Sequence, residues 1–258
     1  MRKFAILFSG GVMPAFNYPR YLNDIKEMYK TLVRNYGFAK SDVFTFYANG
    51  QADGYPRRMD LDDDGADELY YTARYFITMA QFPTNFPITD NDLLFFFATI
   101  HGRLIDPSGH ASGLWMWQWS QGNVAWMPDS ECARAFRDFL KFKYLVLCLG
   151  QCYSGGFIDD FAGPNRVILA ACRHDEPSWS CDTEGPYDEF LYHVTSALRG
   201  ATPQGIPVHG DMDGDGHVSI RDAFLYAQLH DSRPETPQYY ESPPGLGSRL
   251  TLHGLVRD

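Results

Sequence analysis

No stretch of this sequence comes near the roughly 18 consecutive apolar residues that a membrane-crossing helix requires. The basic opening Met1-Arg2-Lys3 leads into about five apolar residues before Ser9-Gly10-Gly11, against the roughly 7 to 15 of a secretory leader. That reads as a first buried strand, and a cytoplasmic location is expected. Cysteine is scarce: five residues, an odd number at irregular spacings, suit neither a disulfide framework nor a zinc site. Cys148 and Cys172 lie in apolar runs and read as core thiols. Cys132 and Cys181 carry no assignment, and a single disulfide stays open. Basic residues are also few, 22 Lys and Arg against 32 Asp and Glu for a net charge of −10. Nucleic acid is excluded as a partner, because polyanion binding needs clustered Lys and Arg. No internal repeat of fold scale occurs.

What is present suits one hydrophobic core. At 258 residues and 45% hydrophobic content, the chain is expected to form one α/β domain with insertions over residues 1–258, acting as a monomer. Strands are expected at 3–8, 42–47, 92–100, 144–149 and 166–172, and helices at 20–36, 67–81, 129–141, 186–199 and 220–230. This alternation predicts a mainly parallel sheet with helices on both faces. In the first helix Leu22, Ile25, Met28, Tyr29, Leu32 and Val33 recur at one-face spacing, and Gly37 stops it. Between Leu114 and Trp126, alternation of Leu114, Met116 and Gln118 with Trp115, Trp117 and Trp119, then Ser120-Gln121-Gly122-Asn123, predicts a hairpin with one aromatic face. The Pro- and Ser-rich segment 232–247 reads as a loop before a last strand at 249–252.

Two residues carry chemistry. His101 and Cys152 each follow an apolar run of strand type, Leu93 to Ile100 and Tyr144 to Leu149, and each stands in a small-residue turn. In an open parallel sheet the chemistry gathers beyond the carboxyl ends of such strands. A thiol becomes a useful nucleophile beside an imidazole or a helix N-terminus. Tyr153-Ser154-Gly155-Gly156 permits a tight turn and close approach of a substrate carbonyl, and the amides of Cys152 and Gly102 are candidate oxyanion donors. The other histidines, His110, His174, His193, His209, His217, His230 and His253, read as surface or core residues.

Gln151-Cys152-Tyr153-Ser154-Gly155, with His101 about 50 residues upstream, resembles the caspase-type signature. Asn17-Tyr18-Pro19-Arg20, Asp92 to Phe97 leading into His101-Gly102, Cys152-Tyr153-Ser154-Gly155, and Leu169 to Cys172 followed by Glu176-Pro177-Ser178-Trp179 extend the likeness over nearly the whole chain. Together they resemble the legumain and glycosylphosphatidylinositol-transamidase family of caspase-like cysteine peptidases, including its bacterial members. The resemblance implies a three-layer caspase-like fold and a cysteine endopeptidase acting on peptide or protein substrates. It makes His101 the general base, Cys152 the acyl-forming nucleophile and Asn17 the residue that orients the imidazole. It places Arg20, Asp188, Asp175, Glu176 and Ser178 around the substrate. Gly150 stands where the family has a pocket glutamate. Cleavage after Asn or Asp is the first expectation, with Arg or Lys held by Asp175 or Asp188 as the alternative. Transfer of the acyl group to an amine is a variant of the same chemistry. A calcium-dependent binding module would explain the acidic loop but leave the His-Cys pair idle.

That loop, 211–222, places oxygen donors at EF-hand positions 1, 3, 5, 9 and 12 (Asp211, Asp213, Asp215, Ser219, Asp222), with Gly216 at position 6 and His217 at position 7. Asp222 replaces the usual terminal Glu. A structural calcium ion is expected there, with a solvated acidic turn as the alternative. A weaker copy near 58–68 offers Asp60, Asp62 and Asp64 with Gly65, and Tyr71 at the terminal position. It suits a second calcium ion or a plain acidic helix start equally. Weak EF-type loops fill more readily at extracellular calcium levels.

Overall fold

The apolar runs fold as strands because the sheet they form is covered on both faces. The computed structural model describes residues 1–49, 57–71, 87–106, 110–117, 126–181 and 184–256. In chain order the elements are β1 (Lys3–Ser9), α1 (Pro19–Lys30), β2 (Val43–Tyr47), β3 (Arg57–Met59), β4 (Glu68–Tyr71), β5 (Leu93–Ala98), β6 (Gly102–Leu104), β7 (Ser112–Trp115) and β8 (Trp126–Pro128). Then come α2 (Asp129–Phe139), β9 (Tyr144–Leu149), α3 (Phe157–Phe161), β10 (Arg166–Ala170), α4 (Glu189–Arg199), α5 (Ile220–His230) and β11 (Gln238–Ser242). A short helix, α6 (Leu246–Arg249), and the pair β12 (Leu250–Thr251) and β13 (Gly254–Leu255) follow.

The main sheet runs β11-β10-β9-β5-β1-β2-β4-β3. Its pairings are parallel except at the edges, where β11 and β3 run antiparallel. Alternate residues of each strand serve opposite layers. Ala5, Leu7, Phe95, Phe97, Val146 and Leu169 pack against α1, α4 and α5. Phe4, Ile6, Phe8, Phe96, Leu147 and Ile168 pack under α2, α3 and the small sheet β6-β7-β8. The result is a three-layer α/β architecture. Among the described residues no helix is long and apolar enough to cross a membrane.

Three expectations change. The segment at 67–81 is not helical where it is described: Glu68–Tyr71 is strand β4, with Tyr70 buried and registered against Thr45 of β2, and residues 72–81 lie outside the described residues. Its period-two pattern of burial wins over the acidic helix-start signal of Asp67-Glu68. The loop at 232–247 contains β11, whose Tyr239 and Tyr240 pair with Leu169 and Ile168. In the Trp segment β7 pairs with β6 and β8, but Met116 and Trp117 are both buried, so the alternation breaks. The turn at 118–125 lies outside the described residues.

Candidate active site

Strand β1 is flanked by β2 on one side and β5 on the other, so the winding reverses between β1 and β5. The loops leaving β1, β5 and β9 meet at that reversal, where open α/β sheets leave a crevice. They carry Phe16 to Arg20, Thr99 to Gly102 and Gly150 to Ser154, respectively. A cleft of about 300 Å³ opens beside them, lined by Val12, Met13, Phe16, Tyr18, His101 and Trp115. Two non-glycine residues bordering the crevice hold left-handed backbone, Val12 at φ 57° and Tyr153, directly after Cys152, at φ 61°. Such strain persists where the surroundings impose it.

The His101 ring packs edge-on against Phe16, Tyr18 and Tyr21, with centroids at 6.0, 5.3 and 5.4 Å. Its Nε2 lies 3.0 Å from the main-chain carbonyl of Phe16. A carbonyl only accepts, so Nε2 carries the proton and Nδ1 keeps a lone pair. Burial and the Arg20 charge hold this imidazole below the usual histidine range, against the Phe16 carbonyl, so it is neutral and basic near pH 7. Asn17 does not orient it. Its Nδ2 donates instead to the Ala48 carbonyl at 3.2 Å and to the Tyr47 hydroxyl at 3.4 Å, tying the β1 and β2 loops together.

Gly102 presses its backbone onto Cys152: a methyl built on Gly102 would stand 1.8 Å from the Cys152 carbonyl oxygen and 3.0 Å from its nitrogen. Only glycine fits there, and the two candidate oxyanion amides belong to touching backbones. The Ser178 amide donates to Cys152 Sγ at 3.3 Å, and the Ser178 hydroxyl donates to the Gly150 carbonyl at 2.7 Å. Among the described residues no hydrogen bond joins His101 to Cys152; the ring is turned to Phe16. The elbow around Cys152 is pinned by Tyr153 N–H to the Glu176 carbonyl, 2.8 Å, and by Gly155 N–H to the Cys172 carbonyl, 2.9 Å.

Of the expected pocket residues, Arg20 and Asp188 come together at 2.6 Å. The Arg20 guanidinium also stacks on the rings of Tyr18 and Tyr21, 4.2 and 4.8 Å to their centroids. Asp188 does not lie in a solvated first helical turn; it is buried, and Thr99 Oγ1 sits 3.1 Å from its Oδ2 and 2.8 Å from Asp24 Oδ2. One hydroxyl proton cannot serve two ionised carboxylates. Asp188 has Arg20 in contact, whereas burial and the neighbouring Asp188 charge push Asp24 well up, so Asp24 holds the proton. Two other expected residues are engaged within the chain. The Asp175 carboxylate is held at the surface by Arg173 at 3.0 Å. The Glu176 carboxylate braces Thr236, accepting its N–H at 3.0 Å and its hydroxyl at 3.1 Å. At Gly150 a Cβ would stand 2.3 Å from Leu191 Cδ1, so Leu191 of α4 leaves no room for a side chain there.

In the 211–222 loop Asp211, Asp213 and Asp222 bring oxygens within 4.8 Å of one another, a donor set fit for a hard cation. Asp215 lies outside that set and accepts the His217 N–H at 2.9 Å, and the Ser219 hydroxyl caps α5, bonded to Asp222. Asp222 itself completes that capping box. In the other acidic loop the cluster is Asp60, Asp62 and Glu68, not Asp60, Asp62 and Asp64, and Tyr71 lies in β4 as no ligand. The Lys40 ammonium stands 2.9, 2.8 and 2.6 Å from Asp62, Asp64 and Glu68.

The Phe16 carbonyl and Leu191 gave no motif signal. Asp24 did: it falls in the stripe of Tyr21, Ile25 and Met28 on α1, where an acid is out of place.

No family model and no curated relative matches this sequence. Over the full length of both chains, the structure is similar to that of protein GSU0716 from Geobacter sulfurreducens, with a TM-score of 0.57 at 12% identity, a likeness of fold alone.

Proposed function

We propose that the protein is a cysteine endopeptidase of the caspase-like kind, working through an acyl-enzyme on Cys152. The observation that carries this reading is the contact of Gly102 with Cys152, which sets a histidine turn and a thiol turn backbone to backbone at neighbouring strand ends. His101, whose Nε2 proton faces the Phe16 carbonyl, takes the Cys152 proton at Nδ1 once the ring turns toward the sulfur. The sulfur attacks the substrate carbonyl, and the amides of Gly102 and Cys152 receive the oxyanion. The imidazolium then returns the proton to the leaving amine as the C–N bond breaks. Water, deprotonated by the same imidazole, cleaves the thioester and regenerates the thiol. Arg20 as donor and Asp188 as acceptor form a pair suited to an Asn side chain before the cleaved bond. Calcium at Asp211, Asp213 and Asp222 would pin the entrance to α5; it supports the fold and takes no part in bond cleavage.

The test uses fluorogenic peptides varied at the cleaved residue, with wild type and Cys152→Ala, in calcium and then in chelator. Turnover by wild type alone is expected. Equal turnover by both proteins would overturn the assignment, and product capture by an added amine would reveal transfer in place of hydrolysis.

A further inference from the structure

Away from the Cys152 crevice, three side chains with metal-binding atoms meet on the far side of the segment that carries Ser178, and a fourth, His193, stands beside one of them. Ser180 and Asp188 pair as an antiparallel bridge, with Cys181 N–H bonded to the Tyr187 carbonyl at 2.9 Å and Glu189 N–H to the Trp179 carbonyl at 3.0 Å. Side chains alternate across such a ribbon, so Asp188 faces Arg20 while Cys181 and Glu189 share the opposite side as diagonal neighbours. Cys181, Glu184 and Glu189 each bring one ligand atom within 4.8 Å of the others. One turn along α4 from Glu189, His193 brings Nε2 to 3.7 Å from Glu189 Oε1.

Unmet bonding capacity separates this cluster from a solvated acidic patch. Glu189 and His193 are 2% and 8% exposed. Glu189 Oε1 accepts the Ser232 N–H at 3.0 Å and its hydroxyl at 2.8 Å, but Glu189 Oε2 and His193 Nε2 are buried without a hydrogen bond. Buried polar atoms are nearly always paired, so two orphans beside a thiol and a second carboxylate call for a ligand.

We propose that Cys181, Glu184, Glu189 and His193 form a zinc site. A thiolate, an imidazole and two carboxylates make a borderline-soft set of four ligands, which suits tetrahedral zinc and not the all-oxygen shell of calcium. The ion would tie Cys181 and Glu184 to α4 and so steady Ser178, whose amide rests on Cys152. The site stands whether or not Cys152 cleaves peptides.

The experiment uses the full chain with Cys152→Ala, so that the thiol-imidazole pair of the crevice cannot bind zinc. Metal content is measured after dialysis against zinc, and cobalt is loaded as the optical probe. One zinc per chain is expected, with a thiolate-to-cobalt charge-transfer band and the intense visible bands of a tetrahedral site. Adding Cys181→Ser should remove that band, and His193→Gln should weaken zinc binding roughly tenfold or more. The cobalt spectrum with Cys181 intact decides the matter even if a variant misfolds. Substoichiometric zinc, a cobalt spectrum without the sulfur band, or a band that survives Cys181→Ser would each overturn the site.

Discussion

Replacing Gly150 by alanine tests how closely Leu191 packs behind the Cys152 turn. The added Cβ would stand 2.3 Å from Leu191 Cδ1 and 2.6 Å from its Cγ, inside any real contact distance. Leu191 is fully buried on α4 and must leave its rotamer or push the helix. Overpacking of this kind costs about 1–3 kcal/mol, which at roughly 2–4 °C per kcal/mol lowers the melting temperature by about 2–12 °C. Leu191→Ala alone leaves a cavity and costs about 2–5 kcal/mol. In the double variant the new methyl enters the space that the leucine vacates, so the combined cost should fall short of the sum by on the order of 1–2 kcal/mol. Urea unfolding of the four proteins measures the cycle. Strict additivity would refute the claim that Leu191 fills the space that a side chain at position 150 would need, and Gly150→Glu would then be tolerated.

Other outcomes follow from the acidic loops. Lys40→Ala removes the ammonium shared by Asp62, Asp64 and Glu68 and should cost on the order of 1–2 kcal/mol in chelator, limited by the partial exposure of the lysine. Millimolar calcium should restore much of that loss in melting experiments; a variant indifferent to calcium would exclude an ion at Asp60, Asp62 and Glu68. Asp222→Ala should lower stability by about 1 kcal/mol even in chelator, because it breaks the α5 capping box, whereas Asp213→Ala should only abolish the calcium-induced shift in melting temperature. Identical behaviour of these two variants in chelator would contradict the separation of capping from ion binding.

The legible parts of the molecule were those in which one local pattern has one physical meaning. β5 and β9 could be read because six consecutive apolar residues, buried on both sides, have few other uses. β11 could not, since its half-exposed edge residues Gln238 to Ser242 lie between prolines in a polar segment. His101 and Cys152 stood out because turn residues follow them, and the resemblance supplied their pairing. The orientation of the imidazole was misassigned to Asn17 because its partner is a main-chain carbonyl, which every residue offers and no side chain announces. The filling of the pocket was equally silent, since the contact of Leu191 with Gly150 depends on how α4 lies across β9. Glu189 and His193 read as ordinary helix residues until the Ser180-Asp188 bridge brought Cys181 beside them.

In the proposed function, the charge of the Arg20 pocket sets how an acidic side chain competes with its amide. Near neutral pH the pocket holds a cation on Arg20, an anion on Asp188 and a proton on Asp24, for no net charge. A neutral Asn side chain then matches it, and a carboxylate meets Asp188 without a free positive partner. Burial pushes the Asp188 carboxyl up, with Arg20 opposing. As pH falls through that raised value Asp188 gains a proton, Arg20 is left uncompensated and the pocket becomes positive. The ratio of kcat/KM for an Asp peptide over its Asn twin should therefore rise as pH drops, over a range where the Asp of the peptide, with a pKa of about 4, remains ionised. Asp188→Asn should give the low-pH ratio already at neutral pH, with its fold checked by circular dichroism because Arg20 loses its partner. If the wild-type ratio is flat with pH while Asp188→Asn leaves it unchanged, Arg20 and Asp188 do not contact the substrate side chain. The reading of the pocket then fails, though the chemistry at Cys152 does not.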